Sequence, residues 1–406
     1  MSTVTAPPSA GSAAPKGRSI NWGSVLVEGR ALIALLLIVA FFSIKSSNFL
    51  DYENLLLMTR HVAMNAILAL GMLLVILKGG IDLSVGSTVG LSGVVAGYLL
   101  KGANVPFSDL MAYPKVWVVI VASLAIGAFV GWLNGVIITR LGVAPFIATL
   151  GMLYVARGVA LLITNGETFT KLSGSDKLGN TGFISALAGS PLGIPMPVWV
   201  MVAFAIIFSV ALNRTAFGRW LYAMGGNERA AQLSGVPTKK VETRIYLISG
   251  LCAAMVGLLL TADLPAATPR AGEFYELNAI AAVVIGGAAL SGGRGTVRGT
   301  IIGAFVIGFL VDGLVLIGVS VFWQQVIKGA VIILAVALDQ FQQRLQAQGA
   351  RRKAAASTLS RRKRPGTAAD GSSDPALSAD ATARDDAVSA AAADVTTPSS
   401  GNRPGE

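Results

Sequence analysis

Apolar residues recur along this chain in long runs instead of the alternating or striped patterns of a half-buried soluble fold. They fill residues 31–44, 62–77, 84–100, 116–138, 145–163, 197–212, 243–262, 278–290, 297–316 and 321–338. A helix needs about 20 mostly apolar residues to cross a hydrocarbon layer of about 30 Å. The pattern therefore predicts an all-α, polytopic membrane bundle of about ten transmembrane helices, the shorter runs being tilted or re-entrant. The first run, ALIALLLIVAFFSI, imitates the core of a signal peptide. A long charged stretch precedes it, no small-x-small cleavage site follows, and further runs come after, so it is read as a retained helix. Residues 48–60 (NFLDYENLLLMTR) separate apolar from charged positions and predict a short interfacial helix before the second span.

Flanking this membrane domain, taken as residues 20–340, are two segments of different character. Residues 1–19 are rich in Ser, Ala, Pro and Gly without periodicity and read as a disordered lead. Residues 341–406 form a tail that is first basic, then acidic. Eight of the 32 Lys and Arg residues lie between Arg344 and Arg364 with no acid among them, and from Asp370 onward Ala, Ser and Asp dominate. The tail reads as a disordered cytoplasmic extension, either inert or regulatory.

Composition narrows the class. Charged residues make up 13% of the chain and hydrophobic ones 53%, whereas a soluble domain carries about 25% charge. The net charge of +11 raises nucleic acid as a partner, but much of the excess sits in the tail, where each cation gains about 1 kcal/mol against an anionic membrane leaflet. Lipid, not nucleic acid, is the expected neighbour. One cysteine, Cys252, and one histidine, His61, leave no disulfide framework and no metal cluster to expect. With the tail set aside and the N-terminus inside, the inner loops hold thirteen Lys and Arg residues and the outer loops six, which places both termini in the cytoplasm.

Small residues supply helix packing in lipid, where no hydrophobic force drives helices together. Gly127, Gly131 and Gly135 share one face, as do Gly86 with Gly90, Gly93 with Gly97, and Gly299 with Gly303. These stripes predict close contacts within the bundle, with a subunit interface as the alternative for one of them.

Three segments interrupt the apolar pattern. In Gly79-Gly80-Ile81-Asp82-Leu83-Ser84 a glycine pair frees the backbone, and Asp82 or Ser84 can then cap the next helix. Such a break survives at depth only inside protein or beside a water-filled cavity. An acid at mid-bilayer costs about 2.5–3.5 kcal/mol, so Asp82 is either near an interface or partnered, and a capping and a functional role are both open. Arg60, Arg157 and Lys328 are read as snorkelling near span ends. In residues 213–242, Gly225 and Gly226 end one element, and Asn227 caps a short helix carrying Glu228, Ala230, Ala231 and Leu233, stopped by Gly235 and Pro237. That helix is either a docking surface or a plain interfacial helix. In residues 286–299, Leu290-Ser291-Gly292-Gly293 imitates an ATPase signature, but without a G-x-x-x-x-G-K-[ST] loop a nucleotide has no cradle. A glycine turn between spans is the better account. No catalytic constellation is present, so neither enzyme activity nor a cofactor is expected.

Together these segments resemble the membrane subunits of ATP-binding-cassette sugar importers, the ribose and xylose permease family. Gly79 through Ser87 looks like that family's hallmark, Thr215 through Gly235 is similar to its cytoplasmic coupling segment, and Tyr275 through Gly295 to its third block. The likeness runs from Asn48 to Asp339, and Asn165-Gly166 with Pro191 to Trp199 lean toward the ribose-type branch. The resemblance implies a multi-pass permease in the bacterial cytoplasmic membrane, working with a second permease subunit, separate ATPase subunits and an extracytoplasmic binding protein that delivers a monosaccharide. It implies that Gly226, Asn227, Glu228, Ala230, Ala231, Ser234 and Gly235 couple to the ATPases. It also implies that Gly79, Gly80, Asp82 and Ser84 shape the translocation pathway. A related importer for nucleosides or branched-chain amino acids is the nearer alternative. An ion-coupled secondary transporter is the more distant one, since it would want a relay of intramembrane acids and little beyond Asp82 is present.

Overall fold

A computed structural model describes residues 29–104, 111–176, 179–334 and 336–337. The expectations for the lead 1–19 and the tail 341–406 lie outside the described residues. Helices dominate in the order α1 (Arg30–Lys45), α2 (Tyr52–Lys78), α3 (Val85–Lys101), α4 (Val116–Leu141), α5 (Pro145–Thr164), α6 (Phe183–Ala188), α7 (Met196–Arg214), α8 (Ala216–Gly226), α9 (Glu228–Leu233), α10 (Thr238–Asp263), α11 (Tyr275–Ile285) and α12 (Val297–Leu316). A further apolar helix, α13, covers Val321–Leu334. Among the described residues, α2, α4, α5, α7, α10 and α12 are long and apolar enough to cross a membrane, while α1, α3, α11 and α13 are shorter apolar helices. The chain is a polytopic helical membrane protein.

Two boundaries differ from the hydropathy reading. The interfacial helix expected over 48–60 does not exist as a separate element, because α2 runs unbroken for 27 residues from Tyr52. Its Arg60 and His61 find partners in other helices, while Tyr52 and Glu53 at its start stay exposed. Arg60 is 2.6 Å from Asp263 at the end of α10, and His61 Nδ1 is 3.2 Å from Asp312 on α12. The run at 278–290 yields a helix that stops at Ile285, where Gly286 and Gly287 follow and Gly287 takes φ +92°. Eleven residues rise about 16 Å, roughly half a bilayer.

The bundle is built around α2 and α10, whose side chains are buried along most of their length. Helix α4 packs on α10 and α7 on α2, with α5 against α3 and α4, and they turn Trp117, Val121, Phe146, Ile147, Ile206 and Ile207 outward. An apolar exterior over a small-residue interior is the arrangement that lipid selects, since packing must supply the attraction that water would otherwise provide. The stripe on α4 meets α10 backbone to backbone. A Cβ at Gly127 would lie 2.5 Å from the Gly250 carbonyl oxygen, and one at Gly135 would lie 2.7 Å from Thr243 Cα. This stripe is therefore an internal contact.

At the Asp263 end of the bundle the connections are tied down. Phe169–Thr170 pairs antiparallel with Ala266–Ala267, and Asn180 donates to the Leu100 carbonyl at 3.0 Å. Arg157 does not snorkel; its guanidinium donates to the Pro269 carbonyl and, at 2.9 Å, to that of Ala271. Lys328 lines an open cavity of 220 Å³ with Phe274, Asn278 and Gln325.

Candidate functional site: the helix break at Asp82 and the junction at Lys78

Helix α2 ends where the glycine pair predicts. Gly79 adopts φ +92° and its N–H donates to Ile76 at 2.8 Å, while the Gly80 N–H donates to Val75 at 3.0 Å, a left-handed glycine cap that satisfies the terminal carbonyls. Gly80 is required by proximity, since a Cβ there would lie 2.7 Å from the Tyr246 hydroxyl. One step on, the Ile81 carbonyl accepts from Thr149 of α5 at 3.2 Å.

Asp82 is 1% exposed and serves three donors. Its Oδ1 accepts from the Ser84 backbone N–H at 3.0 Å and from the Ser84 hydroxyl at 2.6 Å, and its Oδ2 accepts from the Ser249 hydroxyl of α10 at 2.8 Å. Asn134 of α4 donates to Ser84 Oγ at 2.8 Å. The Ser84 carbonyl opens α3 by accepting from the Thr88 N–H at 2.9 Å. Ser84 makes no side-chain capping bond of its own, so capping falls to Asp82. The break is thus enclosed by α4, α5 and α10, as an interrupted helix at membrane depth has to be. Of the four residues expected to shape the pathway, Gly80, Asp82 and Ser84 are buried in this knot and Gly79 is exposed.

Beneath the break lies the junction at the Lys78 end. Helix α8 stops at Gly226, and the Asn227 side chain accepts from the Ala230 N–H at 3.0 Å, capping α9. Gly235, at φ +84°, closes the other end, its N–H donating to Gln232 at 3.0 Å. The expected coupling residues divide here. Gly226, Asn227, Glu228, Ala230, Ser234 and Gly235 are exposed, whereas Ala231 is buried against the bundle. Leu233, 84% exposed, projects from the end of α9.

The Lys78 ammonium reaches Glu228 of α9 and Glu242 of α10, each at 3.0 Å. Beside it, the Leu77 carbonyl accepts from the Gly293 N–H at 2.9 Å, and the Tyr222 hydroxyl donates to the Gly295 carbonyl at 2.8 Å. Gly225 is pressed against both, since a Cβ there would land on the Leu77 oxygen. The glycine-rich 286–296 segment is a turn: Gly292, Gly293 and Gly295 take φ of +88°, +74° and +156°, which side chains rarely adopt.

Sequence reasoning passed over Glu242, Tyr246 and Ser249, which line one face of α10 toward the break. Their spacing of four and three residues, polar within an apolar helix, is the signal that could have found them. Asn134 and Thr149 carry no comparable signal.

The chain matches the family model described as branched-chain amino acid transport system / permease component over residues 54–336. It is 44% identical over 334 residues to the ribose import permease protein RbsC of Escherichia coli, covering 80% of this chain and 98% of that protein. To the galactose/methyl galactoside import permease protein MglC of Salmonella typhimurium it is 38% identical, covering 81% and 97%. To the xylose transport system permease protein XylH of Haemophilus influenzae it is 34% identical, covering 76% and 94%. No solved structure matches it. With near full-length likeness to several permeases and a family match across the membrane domain, this chain belongs to the branched-chain amino acid transport system / permease component family.

Proposed function

We propose that this chain is the membrane subunit of an ATP-binding-cassette importer for a monosaccharide of the ribose or xylose type. It works in the bacterial cytoplasmic membrane as one of two permease subunits, with both termini and the Lys78 end inside. Separate ATPase subunits hydrolyse the nucleotide, and an extracytoplasmic binding protein delivers the sugar. The observation that carries this reading is α9, a six-residue helix capped at both ends that holds Glu228, Gln232 and Leu233 outward at the Lys78 end. A helix this short is stable only because it is capped and anchored through Ala231, and it offers a rigid handle to a partner. The sugar class rests on the ribose, galactose and xylose permeases to which the chain is similar.

Within this reading, Gly226, Asn227, Glu228, Ala230, Ser234 and Gly235 form or frame the surface that meets the ATPase, and Ala231 fastens it to the bundle. Gly79, Gly80, Asp82 and Ser84 shape the broken helix beside the pathway. Specificity resides mainly in the binding protein, so the pathway needs only weak contacts that release the sugar inward.

The test is reconstitution in proteoliposomes with the ATPase and the binding protein. Uptake of a labelled pentose should require both partners and external sugar. Leu233→Asp, which places a charge on the docking helix without touching the core, should abolish co-purification of the ATPase and uptake together. Uptake that is competed by leucine and not by pentoses, or that persists without the ATPase, refutes the proposal.

A further inference from the structure

We propose that Lys78 is a positioning residue that transmits movement of the docking helix α9 to the helix break at Asp82; the inference rests on the reading of α9 given above. Lys78 is the last residue of α2, four positions before Asp82. Its ammonium has three donors and engages two carboxylates at once, Glu242 of α10 and Glu228 of α9, at 3.0 Å each.

The two arms of this clamp are unequal. Lys78 and Glu242 are 15% and 8% exposed, while Glu228 is 50% exposed. A buried ion pair is held, because separating its members strands an uncompensated charge. A pair with one partner in water is made and broken at little cost. Lys78 therefore stays on Glu242 and exchanges Glu228, the arm within reach of a protein docked on α9.

What moves with Lys78 is set by its neighbours. The carbonyl of Leu77 holds the Gly293 turn, and Gly225 sits against both with no room for a side chain. Seven residues along α10 from Glu242 is Ser249, which holds the Asp82 carboxylate from the other side. When α9 shifts, Lys78 thus passes from two carboxylates to one, which frees the end of α2 from α9 while the Glu242 pair keeps that end in register with α10. The break between Lys78 and Asp82 is the flexible element that absorbs the difference. Without the clamp, the ATPase can still dock and hydrolyse ATP, but its closure no longer reaches the break.

The experiment uses the full chain with its ATPase and binding protein in proteoliposomes. Lys78→Met combined with Glu242→Leu removes both buried charges together. The double variant should retain the ATPase on purification. The rise in hydrolysis on adding sugar-loaded binding protein, and the sugar moved per ATP, should fall by about two- to thirtyfold, the span expected when a coupling residue is lost. The concentration of loaded binding protein giving half-maximal effect should stay unchanged. Lys78→Arg, which keeps the charge and reach, should restore most of the stimulation. A purely structural role would instead lower ATPase capture and transport together, and that result overturns the proposal, as does wild-type coupling in the double variant. If the double variant does not accumulate in the membrane, Glu242→Gln decides, since its side-chain oxygen still accepts from Lys78 while the charge that ties the end of α2 to α10 is gone; ATPase capture with undiminished stimulation overturns the proposal. Leu233→Asp run in parallel separates the two readings. Unimpaired capture and uptake there removes the docking assignment of α9, whereas its loss alongside a fully coupled Lys78 double variant removes only the clamp.

Discussion

Replacing Asp82 tests whether its carboxylate acts as a hydrogen-bond acceptor or as a charge. In Asp82→Asn the side-chain oxygen can still accept from the Ser84 N–H and hydroxyl, now at 3.0 and 2.6 Å, and the new amide can donate to the Ser249 hydroxyl, now at 2.8 Å, which turns to accept. All three bonds survive in altered polarity. Asp82→Leu strands the Ser84 N–H and the Ser249 hydroxyl in a site that is 1% exposed at its centre. Each orphaned buried group costs about 1–3 kcal/mol, so the leucine variant should lose about 2–6 kcal/mol. Bonds between membrane helices, which average nearer ~0.6 kcal/mol, favour the low end of that range. The asparagine variant should stay within about 1 kcal/mol of the parent. The assay is thermal inactivation of the detergent-solubilised chain, read as the fraction remaining monodisperse after heating, with Ser249→Ala as an intermediate reference. Equal loss in the asparagine and leucine variants would refute the capping argument and show that the negative charge itself is required.

Two further outcomes follow from local geometry. Gly127→Val drives a side chain into the Gly250 carbonyl and should cost about 1–3 kcal/mol by overpacking, whereas Gly151→Ala on α5, where a Cβ meets nothing within 4 Å, should be neutral or stabilising. The same heating assay compares them, and equal behaviour would contradict the close α4–α10 contact. Asn227→Ala removes the cap accepted from Ala230 and should destabilise α9 by about 1 kcal/mol. Hydrogen exchange at residues 228–234 should quicken in that variant and stay slow in Asn227→Asp, which retains an acceptor.

Of the break at Asp82, the sequence carried the outline and the structure carried the partners. A glycine pair followed by an acid and a serine within an apolar run is enough to announce a capped interruption, because few other backbones suit those residues. That Ser249 and Asn134 complete it, from 167 and 50 residues away, has no local signature. The short helix at 228–233 was similarly legible, from Asn227 at one end to Gly235 at the other. Its tie to Lys78 was not, since an ion pair across 150 residues depends on which faces meet.

By itself the sequence determined the class of the molecule, the places where helices break, and the small-residue faces along which they approach. Hydropathy, glycine freedom and capping are local properties that lipid makes decisive. The tertiary structure alone decided that 52–60 belongs to one continuous helix, that α11 ends halfway, and which carboxylates Lys78, Arg60 and His61 meet. A polar side chain in an apolar setting must find a partner, but its identity depends on how distant helices are placed, and no local pattern encodes that.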